Sequence, residues 1–235
     1  MRLRKMIIRW GLYLLGLALL AFGLTLNTKM GLGVSAIMTI PVTVSEIWQL
    51  NLGDVTLVLY ILFILIEMAL HIAKERKNGA KALGMRLVMD ALQLPLSLVF
   101  TRVINLVSSW IPVFSEAYPD SFWGSFWGRV IGLLAAIVIT GVGAGTSLNM
   151  RLVPNPGDGI VQNLAEATGK SVGFTKNWFD ILNVCIALAV GLIFTGGLVG
   201  VNVGTILAAI GIGRVIALLN RLLGKKMCRA AGVAE

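Results

Sequence analysis

The stretch Asn149-Met-Arg-Leu-Val-Pro-Asn-Pro-Gly-Asp-Gly159 is the most specific local signal in the sequence. Pro154 and Pro156 forbid regular helix, Gly157 and Gly159 permit tight turns, and Asp158 can cap a helix that follows. Capping alone is one reading of that aspartate. The other is that the free N–H groups of the helix start point into a cavity, where they bind an anion or the anionic part of a zwitterion. Asn155, Asn149 and Arg151 stand in the same stretch, and a second break, Asn27-Thr-Lys-Met-Gly-Leu-Gly33, supplies Asn27 and Lys29. These residues, together with Lys176 and Asp180, are read as lining a substrate site.

Ionisable side chains inside apolar runs are costly and point to function by default. Asp90 and Gln93 lie within one helical turn, as do Asp180 and Asn183, and Lys176 precedes Asp180 by one turn on the same face. Asp180 and Asp90 are the candidates for carrying a coupling proton. The rival reading of Lys176 and Asp180 is a plain intrahelical ion pair. Arg214 falls deep in the last run, where it serves function or packing. Glu67 and His71 form an i,i+4 pair near the end of a run and are expected to snorkel to the interface, as is Arg102 at the opposite end of its own. Enzyme chemistry finds no support, because neither H-E-x-x-H nor G-x-S-x-G occurs. Asn155-Pro-Gly-Asp158 and Asn51-Leu-Gly-Asp54 both lack the first glycine of the G-x-G-D sequence of intramembrane aspartyl proteases. No catalytic residues, no metal site and no cofactor are expected: Cys185, Cys228 and His71 make no ligand cluster. Without a Walker A sequence, any pumping needs an ion gradient or a separate ATPase.

The elements that must position these residues are membrane spans. The 235 residues are 57% hydrophobic and only 13% charged, with a mean hydropathy of +0.87, against roughly 25% charged in soluble domains. Six apolar runs long enough to span are expected at about 6–26, 55–73, 84–108, 127–148, 177–195 and 200–222. The net charge of +9 does not indicate nucleic acid, because the basic residues sit at the ends of the runs. Arg2, Arg4, Lys5 and Arg9 precede the first; Lys74, Arg76, Lys77, Lys81 and Arg86 surround the second connection; Arg221, Lys225, Lys226 and Arg229 follow the last. Six spans place all three clusters on one side, and 109–126 carries Glu116, Asp120 and several aromatics but no Lys or Arg. By the positive-inside rule both termini are cytoplasmic. The basic start followed by an apolar run is read as a retained first span rather than a cleaved signal.

Two segments between spans, 27–54 and 149–176, are too apolar for ordinary loops. Each is expected to hold a short helix that dips into the membrane or lies at its surface. The two segments belong to an internal repeat. Gly23-Leu-Thr-Leu-Asn-Thr-Lys-Met30 aligns with Gly145-Thr-Ser-Leu-Asn-Met-Arg-Leu152, and Arg9, Glu46, Gly53 and Gly84 match Arg129, Glu166, Gly173 and Gly204 two residues out of step. Three spans per unit invert the second unit relative to the first, as in secondary transporters built of inverted repeats. The expected fold is an all-α membrane protein of two inverted three-helix repeats, each with a broken or re-entrant short helix after its first span. The repeats are assigned to 1–108 and 127–223, joined by an extracytoplasmic connection at 109–126 and followed by a basic cytoplasmic tail at 224–235. Gly128–Gly132, Gly141–Gly145 and Gly196–Gly200–Gly204 show G-x-x-x-G spacing, read first as close helix contacts within the chain.

The Gly-rich first span, the Gly-x-Gly break, the Pro-x-Pro-Gly-Asp-Gly break, Thr168-Gly-Lys-Ser-Val-Gly173 and Gly204-Thr-Ile206 together resemble the YczE/YitT-like family of small bacterial membrane proteins. Lys176 and Asp180 depart from it, standing where Arg and Glu are expected, and Val34 replaces a proline common in the first break. The resemblance implies six spans in a bacterial plasma membrane and names no substrate. The expected function is a secondary transporter or flippase of a small, anionic or zwitterionic substrate bound between the repeats. The alternatives are a non-transporting accessory or assembly protein for another membrane complex, and a substrate-capture subunit of an ATP-driven transporter. The expected partners are the lipid bilayer and a small-molecule substrate, with a homodimer or a membrane partner protein left open and no nucleic acid.

Overall fold

The computed structural model describes residues 2–78 and 83–233, and among these every regular element is helical. In chain order they are α1 (Arg2–Lys29), a 3-10 turn (Ala36–Met38) leading into α2 (Thr39–Trp48), α3 (Leu52–Asn78), α4 (Leu83–Trp110), the short α5 (Phe114–Ala117), a 3-10 turn (Phe122–Gly124), α6 (Phe126–Asn149), α7 (Pro156–Thr168), α8 (Val172–Thr195), α9 (Val203–Leu219), a π-helical segment (Asn220–Gly224) and α10 (Lys225–Ala231). Helices α1, α3, α4, α6 and α8, and α9 continued through α10, are each long and apolar enough to cross a membrane. Lys81 of the second basic cluster lies outside the described residues, as do the last two residues of the tail.

Among the boundaries that differ from the sequence expectation, two are set by a cap. Ser171 accepts a hydrogen bond from the Phe174 N–H at 3.3 Å, so α8 begins at Val172 rather than 177 and Lys176 falls inside it. Asn202 and Thr205 form a capping box that delays α9 to Val203.

The bundle is built on the pairing of α1 with α6. Gly16 and Gly23 of α1 and Gly143 of α6 bring the two backbones together: a Cβ on Gly16 would stand 2.6 Å from the Ser147 nitrogen. Gly141 and Gly145 face Val215 and Leu219 at the α9 end of the bundle, so these small residues serve contacts within the chain. Helix α4 packs on α1, and α9 on α6. Helix α3 lies along α4 and α7, and α8 lies against α2 and α7. Tyr60, Phe63, Phe100 and Phe179 form the aromatic centre of the core.

The N-terminus, the second break and the C-terminus share one side of the bundle. Arg9 donates to the carbonyls of Met150 at 2.8 Å and Arg151 at 2.7 Å, Tyr13 donates to Val153 at 2.7 Å, and Gly232 lies against Lys5. Lys29, at the far end of α1, is about 30 Å from Arg9 at the helical rise of 1.5 Å per residue.

Candidate functional site

The two breaks meet. Ser35, Ala36 and Ile37, just after the first, and Asn155, Gly157 and Asp158 from the second, border one cavity of about 70 Å³ between α1, α3, α6, α8 and α9. Local chemistry explains the second break. Asn155, not Asp158, is the N-cap of α7: its side-chain oxygen accepts the Gly157 N–H at 3.1 Å, and Pro156 occupies the first turn, where a missing N–H costs nothing. Asp158 is thereby released from capping. It sits in the first turn, where the helix dipole favours negative charge, attracted by Lys176 and repelled by Asp180. Gly157 packs against the Ile37 side chain, so one break closes on the other.

Lys176 reaches Asp180 at 3.2 Å, so the expected ion pair is present, and both residues line the cavity. Two further groups lie there that the sequence reading did not single out. The hydroxyl oxygens of Ser35 and Thr140 are buried without a hydrogen-bond partner. Unpartnered buried hydroxyls are costly, and a polar guest in the cavity would satisfy both. Ser35 lies two residues beyond the first break, which ends at Gly33, and Thr140 sits in the middle of an apolar span; neither position carried a signal.

The structure brings Asn155, Asp158, Lys176 and Asp180 together and places the remaining candidates elsewhere. Asn27 is buried in α1 with neither side-chain polar atom hydrogen-bonded. Asn149 donates to Asn220 at 2.7 Å on the terminal side. Arg151 borders a separate hollow of about 480 Å³ that opens on that side and reaches Asn155. Lys29 is at the opposite end, near Glu116. With Lys29 and Arg151 outside, the central cavity holds two carboxylates to one ammonium, a balance that suits a cationic or zwitterionic guest better than an anion.

A groove of about 1080 Å³ runs between α8 and α9. Its walls are apolar, with Val184, Leu188 and Ile206 along them and Arg214 within it, and it shares Ala36, Asp180 and Ala209 with the central cavity.

A second polar cluster lies between α3, α4 and α7. Glu67 and His71 do not snorkel: they are 0% and 8% exposed. The Glu67 Oε2 accepts from Gln93 at 2.9 Å and from Asn163 at 2.8 Å, and His71 Nδ1 pairs with Asp90 Oδ2 at 2.7 Å. Nearer the surface Lys74 and Arg86 both engage Glu166 of α7. The i,i+4 spacing of Glu67 and His71 revealed their shared face, but which face meets α4 and α7 depends on tertiary packing. Arg102 does reach outward, and it pairs there with Asp54 at 2.8 Å.

The chain belongs to a family of unknown function, DUF6198, whose model matches residues 7–221 and so takes in four of the six long apolar helices whole and most of the first and last. No curated protein and no solved structure gives a match.

Proposed function

We propose that this protein is a secondary transporter, or flippase, of a small zwitterionic or cationic solute or head group, with its site where the two breaks meet. It is read as two inverted repeats in a bacterial plasma membrane, with both termini cytoplasmic, in keeping with the YczE/YitT-like resemblance. The two short helices, Ala36–Trp48 and α7, are read as re-entrant: each starts at the central cavity and runs back toward the side from which its break entered. The observation that carries the proposal is the composition of that cavity. Two helix starts, two carboxylates, one ammonium and two unpartnered hydroxyls converge in the interior of the bundle. Broken helices at a repeat interface are the usual sites of such transporters.

The reading is tested on the purified full chain in detergent with a library of zwitterionic and cationic metabolites and lipid head groups. Binding to the folded state raises the melting temperature by mass action. The expected result is a hit on the parent protein that is lost in Asp158→Asn and in Ser35→Ala, followed by uptake of that compound into proteoliposomes. A hit that survives both substitutions, or binding without uptake, would overturn the proposal and favour a capture or accessory role.

A further inference from the structure

The cluster around Glu67 has an imbalance of donors and acceptors that the central cavity does not explain. Glu67 Oε2 already accepts two N–H bonds, from Gln93 and Asn163. Glu67 Oε1 and Gln93 Oε1 are both buried and have no partner. They crowd one point: a Cβ on Gly159 of α7 would lie 2.8 Å from Glu67 Oε1 and 3.2 Å from Gln93 Oε1. Two bare oxygens at one place lack a donor. A proton on Glu67 Oε1 is the smallest species that supplies one, since the resulting O–H can donate to the Gln93 oxygen while the Gln93 amide donates back to Oε2. A metal cation fits less well, because the amide N–H groups of Gln93 and Asn163 already point at the carboxylate and would be turned against it.

Access and surroundings favour the same species. Glu67 lines a hollow of about 200 Å³ together with His71, Asp90, Arg86, Gln162 and Asn163. The ionisable groups that line this hollow with Glu67 are His71 on its own helix and Asp90 and Arg86 on α4, while α7 contributes only Gly159, Gln162 and Asn163. His71 and Asp90, hydrogen-bonded to each other, line the same hollow as Glu67 and Arg86, and farther out Lys74 and Arg86 engage Glu166. The His71–Asp90 pair is therefore the candidate relay for a proton from water on that side.

Helix α7 joins this cluster to the central cavity. Gly159 and Asn163 touch Glu67, while the adjacent Asp158 and the preceding Asn155 line the central cavity. We propose that Glu67 is a reversible proton-binding site, loaded from the terminal side through His71 and Asp90, and that its protonation sets the position of α7 and hence of the central site. On loading, a proton leaves water, forms the Oε1–H bond and donates to Gln93; on unloading, that O–H bond breaks and the proton returns to water by the same route. This supersedes Asp180 and Asp90 as carriers: Asp180 is held by Lys176, and Asp90 becomes a relay partner of His71. The coupling of proton to solute rests on the transporter reading; the proton site and its hold on α7 do not.

The experiment separates the two. In the full chain with Cys185→Ser and Cys228→Ser, Gln162→Cys places one thiol on α7 at the shared border of the Glu67 hollow and the terminal-side hollow. Its reaction rate with a water-soluble maleimide is followed across pH with and without Glu67→Gln, so that the ionisation of the thiol itself cancels in the ratio. Glu67→Gln imitates the protonated acid, since its amide can donate to the Gln93 oxygen. The expected result is a several-fold change in the ratio with pH, the variant matching the parent at low pH and diverging from it at high pH. In parallel, the infrared carbonyl band of a neutral carboxylic acid should titrate in the parent and be missing from Glu67→Gln. A pH-independent ratio, or an infrared titration identical in the two proteins, would overturn the proposal. Neither readout uses a solute, so failure of the transporter reading leaves a separate signature: Glu67 titrates normally while no compound in the library binds.

Discussion

Replacing Gly16 by alanine tests the reasoning about what holds the bundle together. A Cβ at Gly16 would stand 2.6 Å from the Ser147 nitrogen, 2.9 Å from the Gly143 oxygen and 3.0 Å from the Ser147 Cα. All three are backbone atoms of α6, so no side chain can rotate aside. Relief requires α1 and α6 to separate locally from 2.6 Å toward the 3.4 Å at which ordinary van der Waals contact begins, about 0.8 Å, and a gap of that size forfeits about a quarter to a half of the attraction of each contact beside it. Overpacking of this kind costs about 1–3 kcal/mol, and a backbone neighbour places Gly16 in the upper part of that range. At about 2–4 °C per kcal/mol for a chain of this size, Gly16→Ala should lower the melting temperature by about 5–10 °C. Gly11 is the internal control: it lies on the same helix with nothing within 4 Å of its Cβ position. There alanine removes the glycine penalty of about 0.5–1 kcal/mol and should raise the midpoint slightly. Tryptophan fluorescence during thermal unfolding in detergent measures both. Equal midpoints for the two variants would refute the claim that α1 and α6 are in backbone contact.

Three further outcomes are expected. Tyr13→Phe removes the hydrogen bond that ties α1 to the Val153 carbonyl and should cost about 1 kcal/mol, read as a lower melting temperature and faster proteolysis at the second break. The hydrogen bond from Lys74, opposed by some desolvation and helped by the Arg86 charge, holds Glu166 below its ordinary carboxylate range; its folded-state value being depressed, its stabilisation is present above that range and lost as pH falls through it. Glu166→Gln should therefore lower stability at neutral pH by less than about 1 kcal/mol for so exposed a pair, read as a small drop in the midpoint, with no difference from the parent in strong acid or high salt. Gly159→Ala should displace Glu67 and Gln93 and abolish the pH dependence of α7 reactivity even with Glu67 intact, because its Cβ would occupy the point the two oxygens share.

Much of this arrangement could be read from residue types. Runs of about 20 apolar residues gave the six long helices, and the Pro-Asn-Pro-Gly break gave the start of α7, because proline and glycine act locally. Asn155, Asp158, Lys176 and Asp180 were chosen from one break and one helical face, and the fold places them around one cavity. The start of α8 was missed because Ser171 reads equally as turn or cap until the next residues are seen to be helical. The glycines that matter most for α1 and α6 were missed because Gly16 and Gly23 stand seven apart rather than four. The burial of Glu67 was missed for a different reason. Its spacing from His71 fixes a face, but what that face meets is Gln93 and Asn163, far away in the chain, and no local pattern encodes that meeting. Lys29 and Arg151 align between the halves, which predicts equivalent places at opposite ends of the bundle, and at opposite ends they stand.

The packing gives the proposed repeat a direction. An inverted two-fold would exchange α1 with α6, α2 with α7, α3 with α8 and α4 with α9. The contact of α1 with α4 then matches that of α6 with α9, and α3 on α7 matches α8 on α2. One pair breaks the pattern: α3 lies along α4, whereas α8 and α9 share no comparable seam and leave the groove between them. In a transporter of inverted repeats the two halves exchange conformations, so the opposite state would close α8 on α9 and part α3 from α4. That parting would pull Glu67 from Gln93 and His71 from Asp90, since each pair bridges α3 and α4. At the repeat offset, the counterparts of Glu67, Asp90 and Gln93 are Ala187, Ile210 and Gly213, which cannot hold a proton or bond across the second seam. Only one of the two seams therefore carries a polar fastening. Under the proposed transporter reading, protonated Glu67 would complete it and favour the state with α3 and α4 together, and loss of the proton would leave two bare oxygens and weaken it. The proposed exchange would then owe its dependence on the proton to this single asymmetry.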